Sequence, residues 1–207
     1  MLTAFEAFKR LQEGNRRFVA NQTTAEPIDR AHRAALAAGQ EPFAIILGCS
    51  DSRVPAELVF DQGFGDLFVI RVAGNIVAPS QVGSVEFAAS RFGTQLVVVL
   101  GHSGCGAITA TIEEVTGQAT SQSRNLRSIV DRVRPSVETL ISGRHGHDRE
   151  ALMRDAVRAN VRASVNHLRH GSALLEQLSR SAGLKVLGAE YSLETGVVTF
   201  LDSLAAD

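Results

Sequence analysis

The chain has 207 residues, enough for one domain that buries a sizeable core without disulfide staples. Charged residues make up 21% and hydrophobic ones 44%, with a formal net charge of −1, an ordinary globular balance. That balance offers no long-range attraction to nucleic acid or an anionic membrane, and apolar runs such as Phe43 to Leu47 are too short to cross a bilayer.

In chain order, Thr3 to Glu6 fits a capping box, with Thr3 accepting from the backbone and Glu6 reaching back. Phe5, Phe8, Leu11, Phe18 and Val19 recur at helical spacing, so an amphipathic first helix is expected. This start has no basic segment followed by an apolar stretch and a cleavage site, so no secretory signal and a cytoplasmic location are expected. The polar stretch from Asn21 to Pro27 ends the helix, and Ala31 to Ala38 reads as a short second one.

An α/β rhythm follows. Phe43 to Leu47, Leu67 to Ile70 and Leu96 to Leu100 are continuous apolar runs of strand length, the pattern of strands buried on both faces. Val82, Val85, Ala89 and Phe92 mark a helix closed by Gly93, and Ala107 to Val115 one closed by Gly117. Gln118 to Asn125 is polar and reads as a loop. Helical patterns resume from Leu126 to Ile141, with Pro135 predicting a kink or break, and from Asp148 to about Leu168. Lys185 to Tyr191 and Val197 to Leu201 read as strands joined by a turn, the first parallel to the sheet and the second antiparallel at its edge. No repeat or low-complexity tract suggests a boundary, so residues 1–207 read as one domain, with 1–38 as a helical arm.

Chemistry concentrates at two strand ends. The first strand leads into Gly48-Cys49-Ser50-Asp51-Ser52-Arg53, and the third into Gly101-His102-Ser103-Gly104-Cys105-Gly106. Functional groups of open parallel sheets gather beyond the carboxyl ends of strands, above all where strand order reverses. If these two strands are neighbours, Cys49, His102 and Cys105 come within reach of one atom. Two thiolates and an imidazole suit zinc, and three protein ligands leave one position open, as a catalytic site requires. Cys105 opens a helix, whose positive end favours the thiolate. Arg53 can pair with Asp51, keep it ionised and hold it off the metal, so that it orients a water instead.

Simpler readings stand beside these. The two cysteines could be buried thiols or part of a structural zinc site, and Asp51–Arg53 could be a loop ion pair. His145 and His147 could shuttle protons but fit a solvated loop better, and His167 and His170 read as surface residues. Gly63 and Gly65 lack the lysine and helix start of a phosphate loop.

Cys-x-Asp-x-Arg followed by His-x-x-Cys is similar to the signature of the β-class carbonic anhydrases. The resemblance runs from Leu11-Gln12-Glu13-Gly14-Asn15-Arg16-Arg17-Phe18 to Tyr191-Ser192-Leu193-Glu194-Thr195-Gly196. It implies an α/β fold with a mainly parallel four-stranded sheet flanked by helices and an added antiparallel edge strand at the C-terminus. It also implies a homodimer, or a dimer of dimers, in which first helices embrace the partner. The activity implied is zinc-dependent reversible hydration of carbon dioxide to bicarbonate and a proton, by hydroxide that zinc generates from water. By the same resemblance, Gln40, Phe68 and Phe87 fall at substrate-pocket positions, Phe87 replacing a frequent tyrosine, and the Gly106 amide falls where bound anions are contacted. The resemblance further implies that Asp51 binds zinc only in a closed, inactive form, which in some members of the family bicarbonate stabilises at a second pocket. Ile46, Arg71 and Tyr191 match that pocket, but Ile46 offers no hydrogen-bond donor, so a resting state with Asp51 on Arg53 is expected. A hydrolase of carbon disulfide or carbonyl sulfide on the same scaffold is the chemical alternative, and a non-catalytic zinc domain the non-enzymatic one.

Overall fold

The computed structural model describes residues 1–24, 29–118, 123–143 and 148–205. The first helix, α1 (Ala4–Val19), starts at the expected capping box: the Glu6 amide donates to Thr3 Oγ1 at 3.2 Å and the Thr3 amide to Glu6 Oε2 at 2.8 Å. Its apolar face, including Ala7, Phe8 and Leu11, packs on the chain's own sheet, with Phe8 edge-to-face against Phe200 at 4.8 Å. The second helix, α2 (Arg30–Leu36), buries none of its residues.

Five strands form one sheet: β1 (Ala44–Gly48), β2 (Leu67–Arg71), β3 (Leu96–His102), β4 (Lys185–Tyr191) and β5 (Val198–Phe200), in the order β2-β1-β3-β4-β5. The first four run parallel and β5 returns antiparallel to β4. This is the α/β architecture expected from the sequence. Every residue of β1 and β3 is buried, which is why their sequences read as unbroken apolar runs, whereas edge strand β2 is only half-buried. Between the strands lie α3 (Ala56–Val59), a 3₁₀ turn at Ala73–Asn75, α4 (Pro79–Phe92), α5 (Gly106–Val115), α6 (Arg124–Gly143), α7 (Arg149–His170) and α8 (Ala173–Ser181). Pro79 opens α4 at a position where no amide is needed, and Gly93 closes it at φ 66°.

Three expectations need correction. Pro135 does not break α6, which runs continuously from Arg124 to Gly143. A proline inside a helix costs about 3 kcal/mol, but Val130, Val133 and Val137 are fully buried on either side of it. Each such side chain contributes about 1.5–3 kcal/mol, so packing outweighs the lost hydrogen bond. The expected loop at 118–125 gives way to α6 by Arg124, and 119–122 lie outside the described residues. Helix α8 was not anticipated, although Ser172 caps it by accepting from the Leu175 amide at 3.1 Å. His145 and His147 lie outside the described residues, while His167 and His170 are exposed on α7.

Candidate metal centre

Strand order reverses between β1 and β3, the first strand's neighbours being β2 on one side and β3 on the other. In register, Gly48 lies beside Leu100, so the chain beyond β1 opens next to the last residues of β3. Cys49 follows β1, His102 ends β3, and Cys105 is the N-cap of α5. Gly104, at φ 63°, turns the backbone between the last two. One ligand atom from each of the three lies within 4.8 Å of the others, and all three residues are buried.

The donor set fits a metal on its own geometry. His102 Nδ1 contacts the Ser103 carbonyl at 2.9 Å, which assigns its proton to that nitrogen and leaves Nε2 as an acceptor. Nε2 is fully buried and has no hydrogen-bond partner. A buried acceptor without a partner costs about 1–3 kcal/mol, a penalty that a metal ion would remove. The Cys105 side chain beside Cys49, with His102 and the amides of Asp51 and Gly74, outweighs burial and pushes Cys49 down to about 4. The nearby Cys49 sulfur and burial push Cys105 up. Burial opposes charge on His102, but the Cys49 sulfur beside it raises it above the usual histidine value.

Asp51 and Arg53 form the expected pair. Arg53 donates to Asp51 Oδ1 from Nε at 2.9 Å and to Oδ2 from Nη2 at 2.7 Å, and its amide adds a third bond to Oδ1 at 3.0 Å. These bonds hold the Asp51 carboxyl well below the usual carboxylate range, overriding burial. Oδ2 sits 3.9 Å from His102 Nε2, at the edge of the ligand triangle.

Two further residues shape this loop. Arg71 donates to the carbonyls of Cys49, at 3.0 Å, and Asp51, at 2.6 Å. The sequence reading placed Arg71 in a second anion pocket and missed this clamp, which depends on β1 and β2 being neighbours. Ile46 and Tyr191 are buried in the core on one side of the sheet. The Gly74 amide donates to Cys49 Sγ at 3.4 Å, a contact that the sequence alone does not reveal.

A family model described as carbonic anhydrase matches residues 44–198, which span both strand ends and the hairpin. The chain belongs to the β-carbonic anhydrase family. It is 39% identical over 200 residues to carbonic anhydrase 2 of Mycobacterium tuberculosis, covering 96% of this chain and 93% of that one. Its fold matches a β-carbonic anhydrase of Aspergillus fumigatus with a TM-score of 0.75 at 23% identity, covering 96% and 92% of the two chains. It also matches tetrameric β-carbonic anhydrases of Sordaria macrospora with a TM-score of 0.73 at 22% identity, covering 97% and 100%. The general reaction of this family of enzymes is the hydration of carbon dioxide, and the Cys–His–Cys group is compatible with its zinc.

The positions that family resemblance assigns to the substrate lie on four different segments of the chain. Phe68 on β2 and Phe87 on α4 lie 6.2 Å apart, and each also packs on Phe92. Gln40 is exposed ahead of β1. Gly106 begins α5 directly after Cys105, exposed and with open space where a Cβ would be. Among the described residues, no helix is long and apolar enough to cross a membrane.

Proposed function

We propose that this chain catalyses the zinc-dependent, reversible hydration of carbon dioxide to bicarbonate and a proton, with the metal held by Cys49, His102 and Cys105. The observation that carries this reading is the buried Cys–His–Cys triangle, with His102 Nε2 unpartnered, beside an aspartate pinned by arginine. Zinc bound there supplies a Lewis acid that brings the ionisation of water toward neutral pH. Asp51, ionised and acceptor-only, orients the attacking water by taking its hydrogen bond. Arg53 occupies both Asp51 oxygens and so keeps the carboxylate out of the ligand set, where it would close the site. The Gly106 amide, in the first turn of α5, offers a donor to the anionic product. Phe68 and Phe87 provide apolar surface for an uncharged substrate, and Gln40 a polar group to orient it. The proton leaves to buffer.

The working assembly in this reading is a homodimer or a dimer of dimers. A seven-residue helix that buries nothing, as α2 does, is too short to hold by itself, which supports a partner at the arm. With Ile46 in the core and Arg71 committed to two carbonyls, the second bicarbonate pocket is unfavourable, and Asp51 rests on Arg53.

The test is metal analysis beside a stopped-flow assay of carbon dioxide hydration, on the parent and on Cys105→Ser. A serine hydroxyl is a poor zinc ligand near neutral pH, so the variant is expected to lose metal and activity together. Retention of both would overturn the ligand assignment.

A further inference from the structure

We infer that Asn160 and Ser164, on α7, are positioning residues for Cys49, acting through the Gly74–Asn75 turn. The inference rests on the reading of Cys49 as a zinc ligand.

The turn is an unusual piece of backbone. Gly74 sits at φ 69° and Asn75 at φ 43°, both left-handed, and the second is not a glycine. A residue other than glycine holds such a conformation where its surroundings fix it. Here the fixing groups are side chains of α7. Asn160 Nδ2 donates to the Gly74 carbonyl at 2.8 Å, and Ser164 Oγ donates to the Asn75 carbonyl at 3.0 Å, both bonds buried. Their spacing of four residues puts both donors on one face of the helix.

The helix reaches the turn because the sheet beneath it lacks side chains at two places. A Cβ at Gly101 would come within 2.5 Å of Val161 Cγ2, and one at Gly188 within 2.8 Å of Val161 Cγ1. On its other side the turn meets α5: a Cβ at Gly74 would lie 2.9 Å from the Cβ of Ala107, two residues after Cys105. The turn is thus held between α7 and the helix that begins at a second ligand. What it presents to the centre is the Gly74 amide, 3.4 Å from Cys49 Sγ. A hydrogen bond to a ligating sulfur fixes its orientation and draws off charge that it would otherwise give the metal. Asn160 and Ser164 therefore act on the centre without touching it.

The experiment compares Asn160→Ala, Ser164→Ala and Ser164→Thr with the parent, and uses Arg169→Ala as a control. Arg169 anchors the far end of α7 to the Val186 carbonyl at 3.0 Å and has no bond to the turn. The readouts are zinc affinity by chelator competition and the thiolate-to-metal charge-transfer absorption of the cobalt-substituted protein. Asn160→Ala and Ser164→Ala are expected to bind zinc about tenfold more weakly and to shift the charge-transfer band, with Ser164→Thr restoring both. Arg169→Ala is expected to lose thermal stability and change neither. If Asn160→Ala does not fold, the serine–alanine–threonine series decides alone. Alanine variants that lose stability like the control, with zinc affinity within about twofold of the parent and an unmoved band, would overturn the inference. A parent that takes up no zinc would instead remove the ligand reading beneath it.

Discussion

Asp51 and Arg53 are two residues apart on an exposed loop, where an ion pair usually contributes little. Their geometry is of a different kind: a planar guanidinium meets both carboxylate oxygens, and the Arg53 amide adds a third donor. The consequence is chemical more than energetic, because an anionic acceptor is held at the rim of the ligand triangle. Asp51→Asn keeps the shape but loses both the charge and one acceptor. The expected outcome is unchanged zinc content with activity reduced at least about a hundredfold, read by metal analysis and hydration kinetics together. Unchanged turnover would remove Asp51 from the mechanism. The meeting of Cys49, His102 and Cys105, and the Asp51–Arg53 pair, are legible in the sequence because these residues follow two strand ends at a diagnostic spacing. Arg71 and Gly74 are not, since their roles depend on which backbone atoms lie across from them after folding.

Among the elements, the buried strands were the plainest to read, because burial on both faces leaves no polar residue to interrupt the run. Helix α6 does not break at Pro135 because the local rule is outweighed by three buried valines that it does not see. The capping box of α1 was read correctly and carries a pH dependence. The Thr3 amide and hydroxyl hold the Glu6 carboxyl below its usual value, so its ionised form is favoured by folding. A depressed acid stabilises the fold above its unfolded pKa, and that contribution is lost as pH falls through the folded value. Glu6→Gln is therefore expected to melt below the parent at pH 7, with the gap shrinking as pH falls toward about 3. A gap that stays constant over that range, followed by thermal denaturation, would contradict the cap assignment.

For the whole molecule, the sheet order decides function by bringing the ends of β1 and β3 together, and residues far apart in sequence into one centre. The single chain leaves its arm helix α2 unburied and its edge strand β2 half-buried, with Phe64 and Phe87 more than half exposed nearby. Sedimentation at micromolar concentration is expected to show a dimer or a larger even assembly, and a monomer would contradict the assignment of the arm as a contact. In the proposed function, the carbonic anhydrase activity of this chain depends on zinc at the Cys–His–Cys centre. The most direct test is the hydration rate of metal-stripped protein titrated with zinc. Negligible activity is expected at the start, then a rise in proportion to added zinc and a plateau at about one ion per chain. Full activity in the stripped protein, or zinc taken up at that ratio with no hydration above the buffer rate, would contradict it.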